Sequence, residues 1–316
     1  MPNITKLQCL LAATCLMPFG SHALAQTPAA AETMIVSGIG GPEAPVLIGR
    51  DVYYVGWTDN ILAKWDGHQA KVLHHDATCE HNGLAATADG HLLLACLADA
   101  GAIVKLTRDG KEIQRWKTDV AGRPLKGGVN DFAVTPNGGI YATISGPLSD
   151  PPGLIAGKVL YLAPGAHDWV EMADALNYAN GLAVSPDGRT LYVAESIGNS
   201  ITKFTIQANG TLSDRANFAL LNVLVRDKIQ SAFIGPDGIK VDRAGNLYVA
   251  QFNGGKVIKI SPTGKLIHVF EIAAGDGVTN VALSPDERAL YVTTVRDPSD
   301  PKATGSLIRM PNLTAP

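Results

Sequence analysis

The chain has 316 residues, 33 of them glycine and 19 proline, and its 26 basic and 29 acidic side chains leave a net charge of −3. That glycine and proline load breaks helices, and no window keeps a 3.6-residue apolar period over several turns, so a helical fold is excluded. A mildly acidic balance without any basic run asks for neither nucleic acid nor an anionic membrane; a small molecule is the expected partner and a monomer the default assembly.

In chain order, Lys6, the apolar stretch from Leu7 to Met17 and Ala23-Leu24-Ala25 before Gln26 read as a signal peptide over residues 1–25. Thr14, Pro18 and Gly20 interrupt that stretch short of the roughly 20 apolar residues that span a bilayer. Ala12-Ala13-Thr14 before Cys15 lacks the leucine of a lipoprotein site. The expectation is a periplasmic or secreted protein of residues 26–316. It keeps Cys79 and Cys96, either as a disulfide or as two small buried thiols.

From there the chain restates one phrase: a polar residue, a short apolar strand, a turn, a second strand, a polar gap, a third strand. The first copy, degenerate, begins Glu43-Ala44-Pro45-Val46. The second runs from Asn82-Gly83-Leu84-Ala85 through Asp89-Gly90. The third begins Asn130-Asp131-Phe132-Ala133 and the fourth Asn180-Gly181-Leu182-Ala183, with Ser185-Pro186-Asp187-Gly188 as its turn. Asp237-Gly238-Ile239 opens the fifth and Asn280-Val281-Ala282 the sixth. Such runs of Val, Ile, Leu and Tyr between Asp-Gly or Asn-Gly turns are antiparallel hairpins. Six units of roughly 48 residues each predict an all-β fold, a six-bladed β-propeller with four-stranded antiparallel blades. The last unit is short of a strand, and Thr33-Met34-Ile35-Val36 is free to supply it and close the ring. Gly146–Gly157, Ala208–Ile234 and Arg296–Gly305 read as long connections shaping a pocket mouth.

Aligned on their turns, the units place Glu43, Asn82, Asn130, Asn180, Asp237 and Asn280 at the heads of their first strands, which line a propeller's channel. Turn capping explains an Asn or Asp before glycine, but not Glu43 between prolines. Converging carboxylates must be paired or bound to metal. Two acids among amides, without Cys or His, suit a hard cation with oxygen ligands, Ca2+ ahead of Mg2+, Mn2+ or Zn2+. His81, beside Asn82, is either a proton carrier or a structural histidine. Trp57, Phe132, Ile197 and Phe252 are candidates for an apolar pocket wall, or for core between blades.

The set as a whole resembles the SMP-30/gluconolactonase/LRE-like propellers: Glu43-Ala44-Pro45-Val46, Asn130-Asp131, Asn180-Gly181-Leu182 and Pro236-Asp237-Gly238 follow that family's order over the whole mature chain. The resemblance implies an exported metal-dependent hydrolase opening a lactone or related activated ester, with Glu43, Asn130, Asn180 and Asp237 as metal ligands. Asp237, with Asn130, would be catalytic; Asn82 and Asn280 would either support the ligands from behind or face substrate, and His81, Trp57, Phe132 and Phe252 would face substrate. Sugar-lactone members commonly carry an arginine two residues before the Asn-Asp pair, where this chain has Gly128. The rival from another class is a non-catalytic NHL-like propeller that binds a partner around a structural calcium.

Overall fold

The computed structural model describes residues 31–98, 100–148, 154–225, 233–300, 302 and 304–315. The signal-peptide reading of residues 1–25 lies outside them. Within them the chain forms six four-stranded antiparallel sheets, the propeller that the repeats predict. Their inner strands are Pro42–Ile48, His81–Ala86, Val129–Val134, Ala179–Val184, Gly235–Val241 and Gly277–Leu283. Each packs against the inner strands of the blades on either side, and the ring closes between Gly277–Leu283 and Pro42–Ile48.

Alternation along these strands explains the packing, because successive side chains face opposite sides of a sheet and each blade is covered on both faces. Leu84, Leu92, Leu94 and Val104 of the second blade meet Tyr53, Val55 and Leu62 of the first. The same layering recurs between the third and fourth blades through Tyr141, Val159, Leu182 and Val193. Hairpin turns between first and second strands place glycine where φ is positive, as at Gly138 (87°) and Gly188 (71°). Ser185 Oγ donates to Asp187 Oδ1 at 2.6 Å in the second of these, fixing the turn locally.

The N-terminal strand Thr33–Gly40 pairs antiparallel with Thr304–Pro311, from Thr33 opposite Arg309 to Gly40 opposite Thr304. It is the outermost strand of the sixth blade, so the two ends of the described chain clasp one sheet. Hydroxyls near the axis tie neighbours together: Thr143 Oγ1 donates to Asn180 O at 2.7 Å, Ser196 Oγ to Pro236 O at 2.7 Å and Thr279 Oγ1 to Pro42 O at 2.7 Å. Cys79 and Cys96 are bonded to each other, which decides between the two readings of that pair. The segment Ala208–Ile234 is not one connection as expected. It holds the fourth strand of its blade, Leu212–Leu220, and a helical turn, Leu221–Leu224, because polar residues alternate on an outer strand with only one covered face.

Candidate active site

Every inner strand leaves its ladder by one extra residue at the same height. Two residues oppose one between His81 and Leu84, Val129 and Phe132, Ala179 and Leu182, Pro236 and Ile239, and Glu43 and Val46; between Val278 and Asn280 the single Thr279 opposes none. Such a bulge re-aims side chains. It makes Asn82, Asn130, Asn180 and Asp237 equivalent, but their fold counterparts in the first and sixth blades are Ala44 and Thr279. Glu43 stands one residue earlier than the column predicted from sequence, and Asn280 one later.

Glu43 nonetheless reaches the same place. It lines a cavity of about 240 Å³ at one mouth of the channel together with Asn82, Asn130, Asn180 and Asp237. Ala44 adopts φ 48°, a left-handed conformation rare for a residue with Cβ, and its N–H donates to Glu43 Oε2 at 2.7 Å. Asn280 Nδ2 donates to Glu43 Oε1 at 3.1 Å. Asn280 is fully buried and absent from the cavity wall, so it positions Glu43 rather than facing substrate. Its true counterpart is Asp131, which sequence reasoning passed over: Phe132 N–H donates to Asp131 Oδ1 at 2.8 Å as Val281 N–H donates to Asn280 Oδ1 at 2.9 Å. Asp131 is buried, and Lys240 Nζ lies 3.4 Å from its Oδ2.

The electrostatics are those of acids held too close. Burial, and then the charge of Asp131, push the Glu43 carboxyl up to about 8. Burial first, then Glu43 and Asp131, raise Asp237 well above the usual carboxylate range, against a hydrogen bond from Asn180. Acids in this position stay protonated or take a cation. Two further acceptors point the same way: Asn130 Oδ1 and Asn180 Oδ1 are buried without any hydrogen-bond partner. Asn130 Nδ2 is committed to Ser145 Oγ at 3.0 Å, which turns its Oδ1 toward the channel. Orphaned acceptors are uncommon inside proteins and ask for a ligand. Two carboxylates and two amide oxygens fit a hard divalent ion such as calcium. No His or Cys is among the described lining residues of this cavity, and these are the ligands that zinc prefers.

The predicted wall divides. Trp57 and Phe252 line the cavity, Trp57 packed so closely on Gly41 that a Cβ there would fall 2.3 Å from its ring. Ile197 is half-buried and does not line it. Phe132 does not either: the bulge spends Asn130 and Asp131 on the axis, so Phe132 returns to the core beside Trp169, ring centroids 6.3 Å apart. His81, fully buried, faces His74 at 5.5 Å between ring centroids. Burial and His74 push it down to about 4, so the ring is neutral at ordinary pH, and it does not line the cavity. Leu97, Leu148, Tyr178, Ser196 and Phe233 complete the lining. Burial pushes the Tyr178 hydroxyl up to about 12, and Ser145 hydrogen-bonds it. A signal for some of these existed. Leu97, Ser145, Ser196 and Phe252 each follow the residue paired just ahead of the bulge, Cys96, Ile144, Glu195 and Gln251.

Fold and site together define a six-bladed propeller with an oxygen-lined pocket at one mouth of its channel. A profile of the SMP-30/Gluconolactonase/LRE-like region matches residues 42–296, and the chain belongs to that family. It is 30% identical to regucalcin of Pongo abelii over 140 residues, covering 44% of this chain and 43% of that protein. It is 27% identical to lactonase drp35 of Staphylococcus aureus over 179 residues, 56% and 52% of the two. The chain thus spans about half the length of these curated relatives. A solved gluconolactonase from Xanthomonas campestris is 26% identical, with a TM-score of 0.71 and 89% of each chain covered.

Proposed function

We propose that the protein is an exported, calcium-dependent hydrolase that opens a lactone or a similarly activated carboxylic ester. The observation that carries this is the pairing of two mutually repelling carboxylates, the buried Glu43 and the half-buried Asp237, with the orphaned oxygens of Asn130 and Asn180. Family membership and lactonase relatives support the reaction class, and the Cys79–Cys96 bond supports an oxidising compartment. Glu43, Asn130, Asn180 and Asp237 would hold the ion. When bound, a hard divalent cation supplies polarisation of the ester carbonyl and stabilisation of developing negative charge.

The chain's own groups do the rest. Asp237 stands at the pocket floor, half-buried, where its carboxylate takes a proton from the water that attacks the carbonyl carbon. With a cation held beside it, that carboxylate is ionised and only weakly basic, which suits a strained or activated ester better than an amide. Asn130 presents an acceptor, since its amide nitrogen is held by Ser145. Asn82, on the same wall, is free to donate to the carbonyl oxygen, and the protonated Tyr178 hydroxyl stays neutral beside it.

Protein stripped with EDTA and then restored with calcium is to be assayed on aliphatic, aromatic and sugar lactones and one phosphotriester. Turnover that needs calcium and falls at least about 100-fold in Asp237→Asn is expected. No turnover by either form, with a calcium-raised melting temperature, would leave a structural ion in a non-catalytic propeller.

A further inference from the structure

The walls of the pocket above the oxygen floor are apolar and fixed. Trp57, Leu97, Leu148, Phe233 and Phe252 line the cavity, and no Lys, Arg or His is among its described lining residues. Phe233 and Phe252 meet with ring centroids 6.2 Å apart, and Asn253 Nδ2 donates to Phe233 O at 2.6 Å, which anchors that corner. Gly128, at φ 81°, backs directly onto Leu97; a Cβ there would lie 2.5 Å from Leu97 O, so position 128 has no room for a polar arm. Leu148 stands at the rim, 62% exposed, a large aliphatic side chain that nothing among the described residues covers.

Apart from the Asn130 and Asn180 oxygens that would hold the ion and Asn82 that would meet the ester carbonyl, the polar groups below are already engaged. Ser196 Oγ donates to Pro236 O, Ser145 serves both Asn130 and Tyr178, and both oxygens of Glu43 accept internal hydrogen bonds. A ligand bearing several hydroxyls would lose its water hydrogen bonds along the wall without replacement, at a penalty for each. An alkyl or aryl group would instead gain by leaving water against five apolar side chains.

Resting on the lactonase reading, we infer that this pocket takes lactones carrying an alkyl or aryl substituent, with the ring ester on the floor and the substituent along the Trp57–Leu97–Leu148–Phe252 wall, in preference to polyhydroxylated sugar lactones.

The test is a series of δ-lactones with n-alkyl chains of increasing length, plus dihydrocoumarin and glucono-δ-lactone. For the native protein with calcium, kcat/KM is expected to rise with each methylene added, by up to about fourfold, and to be lowest for glucono-δ-lactone. Leu148→Ser, at an exposed position that leaves folding intact, is expected to flatten the chain-length dependence, and Phe252→Ala to flatten it further. In parallel, Asp237→Asn protein is melted with each lactone: long-chain lactones raise its melting temperature and glucono-δ-lactone does not. Hydrolysis with glucono-δ-lactone preferred, or with no chain-length dependence, overturns the inference and leaves the lactonase reading standing. No hydrolysis of any lactone, yet a melting shift that grows with chain length, sinks the lactonase reading and upholds the apolar ligand. Neither turnover nor a shift overturns both.

Discussion

Glu43→Gln in metal-free protein should invert its effect on stability between pH 5 and pH 8. The native carboxyl, pushed from 4.5 to about 8 in the fold, holds a proton that the unfolded chain releases. A raised acid of this kind contributes fully below the unfolded value and loses its contribution as pH climbs toward the folded one. At 1.36 kcal/mol per unit, the loss is roughly 5 kcal/mol by pH 8, or on the order of 10 °C in melting temperature for a chain of this size. Glutamine has no proton to lose. It must, however, set its amide nitrogen against either the Ala44 N–H or Asn280 Nδ2, which now donate to the two carboxylate oxygens, at about 1 kcal/mol. In EDTA the variant should therefore melt slightly below the native protein at pH 5 and several degrees above it at pH 8. Calcium should reverse the order at pH 8, because only the native protein has the full donor set. Differential scanning calorimetry at the two pH values decides, and taking variant minus native cancels the titrating groups that do not sense Glu43, leaving Glu43 and the acids it repels. A variant that melts lower by one constant margin at both values would remove Glu43 from the set of buried, repelling acids.

Three other changes probe what holds the site. Gly238→Ala would place a Cβ 2.0 Å from the Asn280 side chain, pushing it off Glu43; calcium affinity should fall about tenfold by titration calorimetry, with a melting temperature lowered by a few degrees. Lys240→Met leaves the buried Asp131 without the ammonium 3.4 Å away, a loss of about 3 kcal/mol in urea unfolding that Lys240→Arg should largely restore. Replacing Cys79 and Cys96 by serine together opens a 17-residue loop, and guanidinium unfolding should show a loss of about 3 kcal/mol that reductant reproduces in the native protein. An unchanged midpoint in any of these would refute the contact it tests.

The fold was legible because each blade repeats the same hairpin chemistry, and the unpaired Thr33-Met34-Ile35-Val36 had a vacant edge to fill. The site was legible in its middle. Asn82, Asn130, Asn180 and Asp237 share a strand position and a bulge, so aligning turns aligned them. Glu43 and Asn280 strayed by one residue because the first blade turns at Ala44 with positive φ and the sixth bulges at Thr279. A bulge is invisible to strict alternation, and this is why Phe132 was expected at the wall and Asp131 overlooked. His81 was ambiguous for the same reason, since it sits just before the bulge and faces His74 of the preceding blade. Leu148 and Phe233 come from connections that follow no repeat, and no period could have found them.

Both the site and the proposed reaction require the channel mouth to hold a divalent cation through this donor set. Calcium titrated calorimetrically into EDTA-treated native protein should bind at one high-affinity site per chain, and that site should vanish in Asp237→Asn. No high-affinity site in the native protein, or one that survives the substitution unchanged, would contradict it.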